Sequence, residues 1–159
     1  MLAIIVLTPG LPGRSVSLAA RLPGGLNASF QPLRWRLLRR LPFALGWMTK
    51  RPIPHTVTDV WLHPLLTQRE IRRVLTKYLR TSKKGDMLAA AELLRRFDRP
   101  SPVIWAREDR VMPFEHGRRF AEILPQGRLV EIADSYTLIP EDQPGELSHA
   151  IRQFIRDTP

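Results

Sequence analysis

The stretch Pro102-Val-Ile-Trp-Ala-Arg-Glu-Asp-Arg-Val-Met-Pro113 decides the fold of this chain, together with Arg128-Leu-Val-Glu-Ile-Ala-Asp-Ser-Tyr-Thr-Leu-Ile-Pro-Glu-Asp-Gln-Pro144. In each stretch an apolar run that predicts a β-strand is followed by a polar turn. The residues between them predict a helix from about 114 to 124, which Pro125 ends. The pattern is that of a β-α-β unit. Such units place functional groups just past the carboxyl ends of parallel strands.

Outward from this unit, the chain predicts one more strand and a set of helices. The opening run Met1-Leu-Ala-Ile-Ile-Val-Leu7 is apolar at every position, as a buried parallel strand is, and it is too short to span a bilayer. Residues 33–49 predict helix on both sides of a break at Pro42, and residues 50–55 predict an extended connection. The predicted fold class is therefore α/β, with about three parallel strands and flanking helices.

Three further helices are predicted from capping signals and from the spacing of apolar residues. Thr67 and Glu70 have the spacing of a capping box, which predicts a helix that starts at Thr67. A second helix begins near Asp86, and a third opens at Pro144. The residues predicted to form their apolar sides are Ile71, Val74, Leu75, Tyr78 and Leu79 in the first helix, Leu88, Ala91, Leu94 and Phe97 in the second, and Leu147, Ile151, Phe154 and Ile155 in the third.

Charge is distributed unevenly along the 159 residues. Residues 1–99 hold 18 Lys/Arg and 5 Asp/Glu, residues 100–159 hold 7 and 10, and the formal net charge is +10. A basic region of this kind can bind an anionic partner, or it can reflect arginine on solvated helix faces. Aromatic residues do not alternate with the cations as in nucleic-acid modules, so nucleic acid is not a predicted partner. The absence of cysteine excludes disulfides, zinc–thiolate sites and a cysteine nucleophile.

The β-α-β unit resembles the C-terminal part of an α/β-hydrolase. The matching residues are Trp105, Asp109, Val111-Met-Pro113, the Leu124-Pro125 helix end and Gln143-Pro144. The segment Phe43-Ala-Leu-Gly-Trp-Met-Thr-Lys-Arg-Pro-Ile-Pro54 resembles cap segments of bacterial members of that family. The resemblance implies a core strand over residues 1–8, an inserted helical cap over 9–98 and the final α/β part of the core over 99–159. It also implies a partial fold, because the half with the nucleophile elbow is missing from the sequence.

The same resemblance assigns two candidate catalytic positions. Chemistry in this family needs a nucleophile on an elbow, usually Gly-x-Ser-x-Gly, together with a histidine and an acid. Asp109 has the position of the acid, with Glu108 as its neighbour, and Thr137 has the position of the histidine. Threonine cannot act as a base near neutral pH, and no Gly-x-Ser-x-Gly occurs in the sequence. Asp109 could equally cap its own turn or the helix that begins near Phe114.

No cofactor and no metal site are predicted. The four histidines are scattered without the spacing of metal ligands, and no carboxylate cluster accompanies them. The segment Gly10-Leu-Pro-Gly13 has a proline where a phosphate-binding loop needs a backbone donor.

The resemblance implies an ester or epoxide hydrolase with a small apolar substrate, whose pocket Phe43, Trp47, Trp61 and Tyr78 would line, although these aromatics could equally form the core of the cap. Because nucleophile and histidine are missing, the chain by itself is predicted to be a truncated, cytoplasmic and inactive form, in effect a pseudoenzyme. The alternative prediction is a non-catalytic interaction module that uses the basic cap for an anionic partner. An unpaired sheet edge would also favour self-association or a partner chain.

Overall fold

The computed structural model describes residues 31–41, 45–81 and 84–158. Three predictions from the sequence lie outside the described residues. They are the strand over residues 1–8, which would be the third strand of the sheet, the helix break at Pro42 and the pocket position of Phe43. The described residues before position 98 contain helices and turns but no strand, as the sequence predicts for this region.

The chain forms two compact units. The N-terminal unit comprises residues 1–39 and 54–81, and the C-terminal unit comprises residues 40–53 and 82–159. In sequence, the second part of the N-terminal unit is therefore inserted between two parts of the C-terminal unit. The elements in the described residues are two short 3-10 helices (Gln31–Arg34 and Arg36–Arg40), α1 (His55–Thr67), α2 (Arg69–Thr81), α3 (Lys84–Leu94), β1 (Ser101–Ala106), α4 (Phe114–Ile123), β2 (Gly127–Ile132), α5 (Ile139–Asp142) and α6 (Pro144–Asp157).

A buried arginine holds the N-terminal unit together. Arg39 Nε donates a hydrogen bond to the carbonyl oxygen of Leu33 at 2.7 Å, and its guanidinium also binds the carboxylate of Asp59 on α1. Arg36 donates to the same carboxylate at 2.6 Å. The hydrogen bonds from Arg39 and then from Arg36 hold the pKa of Asp59 below its usual value. Asp59 thus ties the second 3-10 helix to α1, and the bond from Arg39 to Leu33 joins the first 3-10 helix to the second.

The first two α-helices differ from the sequence-based prediction. The sequence assigns no element to residues 56–66 and an extended connection to residues 50–55, yet α1 begins at His55 and runs to Thr67, with Pro64 inside the helix. The predicted capping box is wrong, because Thr67 is the last residue of α1 and α2 begins at Arg69. The hydroxyl of Thr67 donates to the carbonyl oxygen of His63 at 2.6 Å. A helical threonine commonly makes this bond to the residue four positions earlier, and so Thr67 caps nothing in α2.

Six residues predicted to form the apolar sides of helices are exposed. Ile71, Val74 and Tyr78 on α2 are three of them. Leu88 on α3 is 57% exposed, Phe97 beyond α3 is 47% exposed, and Ile155 on α6 is 64% exposed. For these six residues the prediction of a buried side is wrong. Helical spacing identifies the residues that share one side of a helix, but only a packed neighbour buries that side.

The sheet of the C-terminal unit confirms the predicted β-α-β unit. β1 and β2 are parallel, with Ser101 opposite Gly127 at one end and Ala106 opposite Ile132 at the other. Helix α4 connects the strands and packs against both, and α6 also contacts both. The core beside the sheet consists of Ala106, Ile132 and Ile139, with Ile104, Val130 and Leu147 packed against it. Because the strands are parallel, the turns that follow them lie at the same edge of the sheet.

A glycine allows α4 to approach β1 closely. A Cβ at Gly117 would lie 2.6 Å from Cγ of Trp105, which is closer than real Cβ contacts. We expect Gly117→Ala to lower the free energy of unfolding by about 1–3 kcal/mol in urea denaturation, because the tryptophan must shift. Gly145→Ala is the matched control, since a Cβ there meets nothing within 4 Å. Equal effects of the two substitutions would contradict this explanation.

Candidate functional site at the carboxyl ends of the two strands

Asp109 lies in the turn that follows β1 and organises that turn. Its Oδ1 accepts hydrogen bonds from the backbone N–H groups of Val111 and Met112, both at 2.8 Å. An aspartate that bonds backbone N–H groups two and three positions later stabilises a turn locally. Trp105 Nε1 donates to the carbonyl oxygen of Met112 at 3.0 Å, and this bond fastens the end of the turn to β1. The local capping role considered from the sequence is therefore present.

Thr137 lies in the loop that follows β2, and its side chain meets Asp109. The Thr137 hydroxyl donates a hydrogen bond to Asp109 Oδ1 at 2.7 Å. The structure thus brings together the two residues that the sequence singles out 28 positions apart. One carboxylate oxygen accepts three hydrogen bonds, and an ionised carboxylate can only accept. Asp109 can therefore orient a hydrogen-bond donor at position 137. The donor present is a threonine hydroxyl, which does not take up a proton near neutral pH and so cannot act as a base.

A buried carboxylate that the sequence analysis missed positions the loop of Thr137. Asp142 is 5% exposed, and its oxygens accept bonds from the backbone N–H groups of Tyr136 at 3.0 Å, Lys50 at 2.8 Å and Arg51 at 2.9 Å. The hydroxyl of Ser135, also buried, lies 3.4 Å from Asp142 Oδ2. Asp142 therefore joins the loop after β2 to the segment around residue 50. The sequence signal that could have indicated this role of Asp142 was its place in the short run between Pro140 and Pro144.

Charged side chains surround the two turns. Lys50 Nζ lies 2.7 Å from the carboxylate of Glu108 and 3.0 Å from that of Asp134, and Arg51 also binds Asp134. Hydrogen bonds to Glu108 first and then to Asp134 raise the pKa of Lys50. The same contacts lower the pKa of Glu108, chiefly through Lys50, and that of Asp134, through Lys50 and then Arg51. At neutral pH Lys50, Glu108 and Asp134 therefore carry their full charges.

Tyr136, in the loop after β2, is buried with two cations next to its ring. Its ring is buried, with the guanidinium of Arg110 4.3 Å from the ring centroid and Lys50 Nζ 6.0 Å from it. Cations at this distance from an aromatic face are attracted to it. Tyr136 precedes Thr137 directly, and so the backbone at the Thr137 position is held by a buried ring as well as by Asp142.

The remaining candidate residues are distributed over both units. Trp47 is half-buried in the C-terminal unit, whereas Trp61 on α1 and Tyr78 on α2 are exposed residues of the N-terminal unit. Their predicted role in lining a pocket stays a prediction.

The histidines do not form a cluster in the part of the chain that the structure describes. His55 and His63 are on α1, His116 is on α4 and His149 is on α6. Among residues 31–41, 45–81 and 84–158, no group of three histidine or carboxylate side chains could hold a metal ion. In those same ranges, no helix has both the length and the apolar composition needed to cross a membrane.

A parallel strand pair with flanking helices and an acid in the turn after the first strand is an arrangement found in α/β-hydrolases, and comparison with solved structures shows this fold. An α/β-hydrolase fold protein from Burkholderia ambifaria superposes with a TM-score of 0.59 and 16% identity, over 94% of this chain and 53% of that one. The α/β-hydrolase enzyme MGS-M2 from a deep-sea metagenome library of the Medee basin gives a TM-score of 0.63 and 16% identity, over 99% and 55%. The chain therefore has part of an α/β-hydrolase fold.

One curated protein is similar in sequence. The uncharacterized hydrolase YugF of Bacillus subtilis is 32% identical over 87 residues, which are 55% of this chain and 31% of YugF. No protein-family model matches the chain. The chain spans about half the length of the solved α/β-hydrolases that it resembles, and the stretch aligned with YugF covers about a third of that protein.

Proposed function

We propose that this chain supplies the acid-bearing part of an α/β-hydrolase site and that it does not hydrolyse esters by itself. The observation that carries the proposal is the 2.7 Å hydrogen bond from the Thr137 hydroxyl to Asp109 Oδ1. By resemblance, Asp109 has the position of the acid that orients the catalytic histidine, and Thr137 has the position of that histidine. With threonine there, no general base acts on a nucleophile.

The activity of a longer protein that contains this half is a further part of the proposal. If the nucleophile elbow is supplied with it, the resemblance favours hydrolysis of a small apolar ester or epoxide beneath a helical cap over residues 9–98. Trp47, Trp61 and Tyr78, with Phe43, are the aromatic residues proposed to line its pocket. The mass of the protein in its native cells, detected through the sequence of α6, tests this point, because such a protein is much heavier than 18.3 kDa.

The absence of hydrolysis by the 159-residue chain is tested with small activated esters. We expect the chain and its Asp109→Ala variant to give the same rate as buffer alone, because neither contains the family's nucleophile elbow or a base paired with Asp109. Release of the chromogenic alcohol is followed by absorbance. Turnover by the unaltered chain that Asp109→Ala abolishes would contradict the proposal.

A second candidate function rests on charge. In the described residues of the N-terminal unit, 31–39 and 54–81, eight Lys/Arg stand against two Asp/Glu. This imbalance supports a non-catalytic role in which the N-terminal unit binds an anionic partner. Salt dependence distinguishes the two functions, because charge-based binding weakens steeply with salt and ligand binding in an apolar pocket does not.

Self-association through a sheet edge also stays a prediction, which a measurement of the oligomeric state tests.

A further inference from the structure

Helix α2 presents apolar and cationic side chains next to each other on its exposed surface. Ile71 is 42% exposed and Val74 is 66% exposed, and Tyr78 is exposed as well. At 3.6 residues per turn, these three residues lie within about 60° of one another around the helix axis. Lys77 and Arg73 are exposed and lie about 60° and 100° from Val74 around the same helix, with the exposed Glu70 between them and Val74. We refer to Ile71, Val74, Tyr78, Arg73 and Lys77 as the basic–apolar face of α2.

The charged residues of α2 are mostly positive. Its 13 residues contain five Lys/Arg and a single carboxylate, Glu70. Arg72 differs from the other cations, because it is half-buried and its Nη1 donates to the carbonyl oxygen of Leu65 on α1 at 2.9 Å. That contact is structural, whereas Arg69, Arg73 and Lys77 are exposed to solvent. The helix therefore has a side that is attached to α1 and another side that carries the basic–apolar face.

We infer that the basic–apolar face of α2 binds the surface of an anionic lipid bilayer. The inference rests on the second of the two proposed functions and names the partner. A helix of 13 residues is about 20 Å long, too short to cross a bilayer but suited to lie along its surface. In that orientation, apolar side chains enter the boundary between headgroups and acyl chains, and Lys and Arg bind anionic headgroups.

The apolar half of this face is what favours a bilayer over other polyanions. A nucleic acid or an acidic protein segment would engage Arg73 and Lys77 but would leave Ile71 and Val74 in water. A bilayer interface accommodates both halves, because the apolar side chains leave water when the cations meet the headgroups. The N-terminal unit also exposes Trp35 and Trp61, and tryptophan is a side chain that concentrates at membrane interfaces.

The test is co-sedimentation of the full 159-residue chain with phosphatidylcholine vesicles, with and without phosphatidylglycerol. We expect binding only to the vesicles that contain phosphatidylglycerol, and we expect it to weaken as salt is raised. Ile71→Asn with Val74→Asn should reduce the partition coefficient at least about 10-fold, since two apolar side chains no longer enter the interface. Arg73→Gln with Lys77→Gln should reduce it about 30-fold.

Matched control variants remove equivalent groups from the C-terminal unit. Ile155→Asn changes one apolar side chain, whose exposed fraction of 64% is similar to the 66% of Val74. Arg118→Gln with Arg119→Gln removes the same charge from exposed positions of α4. Both controls should bind vesicles within about twofold of the unaltered chain, because surface substitutions away from the contact change little. Circular dichroism checks that all variants are equally folded.

A single-stranded oligonucleotide in place of vesicles separates the inference from the proposed function on which it rests. Binding of the oligonucleotide but not of vesicles, with no effect of Ile71→Asn and Val74→Asn, would overturn the bilayer inference and leave the anionic-partner function standing. No binding to either would overturn both. Loss of vesicle binding in the α2 variants but not in the controls would establish the face.

Discussion

Replacing Asp142 with alanine is expected to lower the free energy of unfolding by about 3 kcal/mol, which is a large part of the stability of a domain of this size. The substitution leaves the backbone N–H groups of Tyr136, Lys50 and Arg51 without their carboxylate partner. Each buried donor that loses its acceptor costs free energy unless water replaces it, and Asp142 is almost fully buried. Urea denaturation followed by circular dichroism measures the difference.

Two variants decide whether this effect comes from the carboxylate. Glu141→Ala changes the exposed neighbour of Asp142 in the same short helix α5, and we expect it to alter stability by less than about 0.5 kcal/mol. Asp142→Asn keeps the shape but retains one acceptor oxygen, so its effect should fall between those of the two alanine variants. Equal effects of Asp142→Ala and Glu141→Ala would show that the bonds of Asp142 contribute nothing to stability.

Thr137→His is expected to introduce an imidazole whose pKa lies above the ordinary value near 6.5. The hydroxyl of Thr137 already donates to Asp109 Oδ1, and an imidazole N–H at this position can donate to the same oxygen. A carboxylate that accepts this bond stabilises the charged imidazolium and raises its pKa. The measurement is a titration of the imidazole resonances by NMR.

The pH dependence of stability follows from the direction of that shift. A group whose folded pKa is raised stabilises the folded state fully below its unfolded pKa, and the contribution disappears as pH rises through the folded pKa. Thr137→His should therefore add stability at pH 5 relative to pH 9. No gain in ester hydrolysis is expected, since the variant still lacks the family's nucleophile elbow.

The control for this prediction removes the acid. In Thr137→His combined with Asp109→Asn, the imidazole should titrate near its ordinary value, and the added stability at low pH should vanish. An identical imidazole pKa with and without Asp109→Asn would mean that the two positions do not interact as the acid and base positions of a hydrolase do.

The β-α-β unit was predictable from the sequence because local signals agree there. The strands at 101–106 and 127–132 are apolar runs, Pro125 ends the helix between them, and Pro144 begins the last helix. Helix α1 was missed since β-branched residues and Pro64 lie within it, and tertiary packing overrode their low helix propensity. Thr67 was misassigned for a related reason: the capping-box spacing is present, but the preceding helix already contains that threonine.

The site was predictable only in part. Asp109 and Thr137 each follow an apolar strand, and parallel pairing brings such positions together. Lys50 and Asp142 are 92 positions apart, and no periodicity relates them. Their contact joins two segments of the C-terminal unit that are distant in sequence. Exposure at Leu88 and Ile155 was likewise unpredictable, because it depends on which neighbour covers a helix.

The bond between Asp142 and the backbone of Arg51 also has a consequence for how much the chain can vary in length. It closes a loop from residue 51 to residue 142, which contains α1, α2, α3, β1, α4 and β2. The entropy cost of closing a flexible loop grows only with the logarithm of its length, so that doubling the length costs about 0.6 kcal/mol. Insertions or deletions between α1 and α3 are therefore compatible with an unchanged Asp142 contact. We therefore expect changes of length in this inserted region to leave the loop of Thr137 in its position.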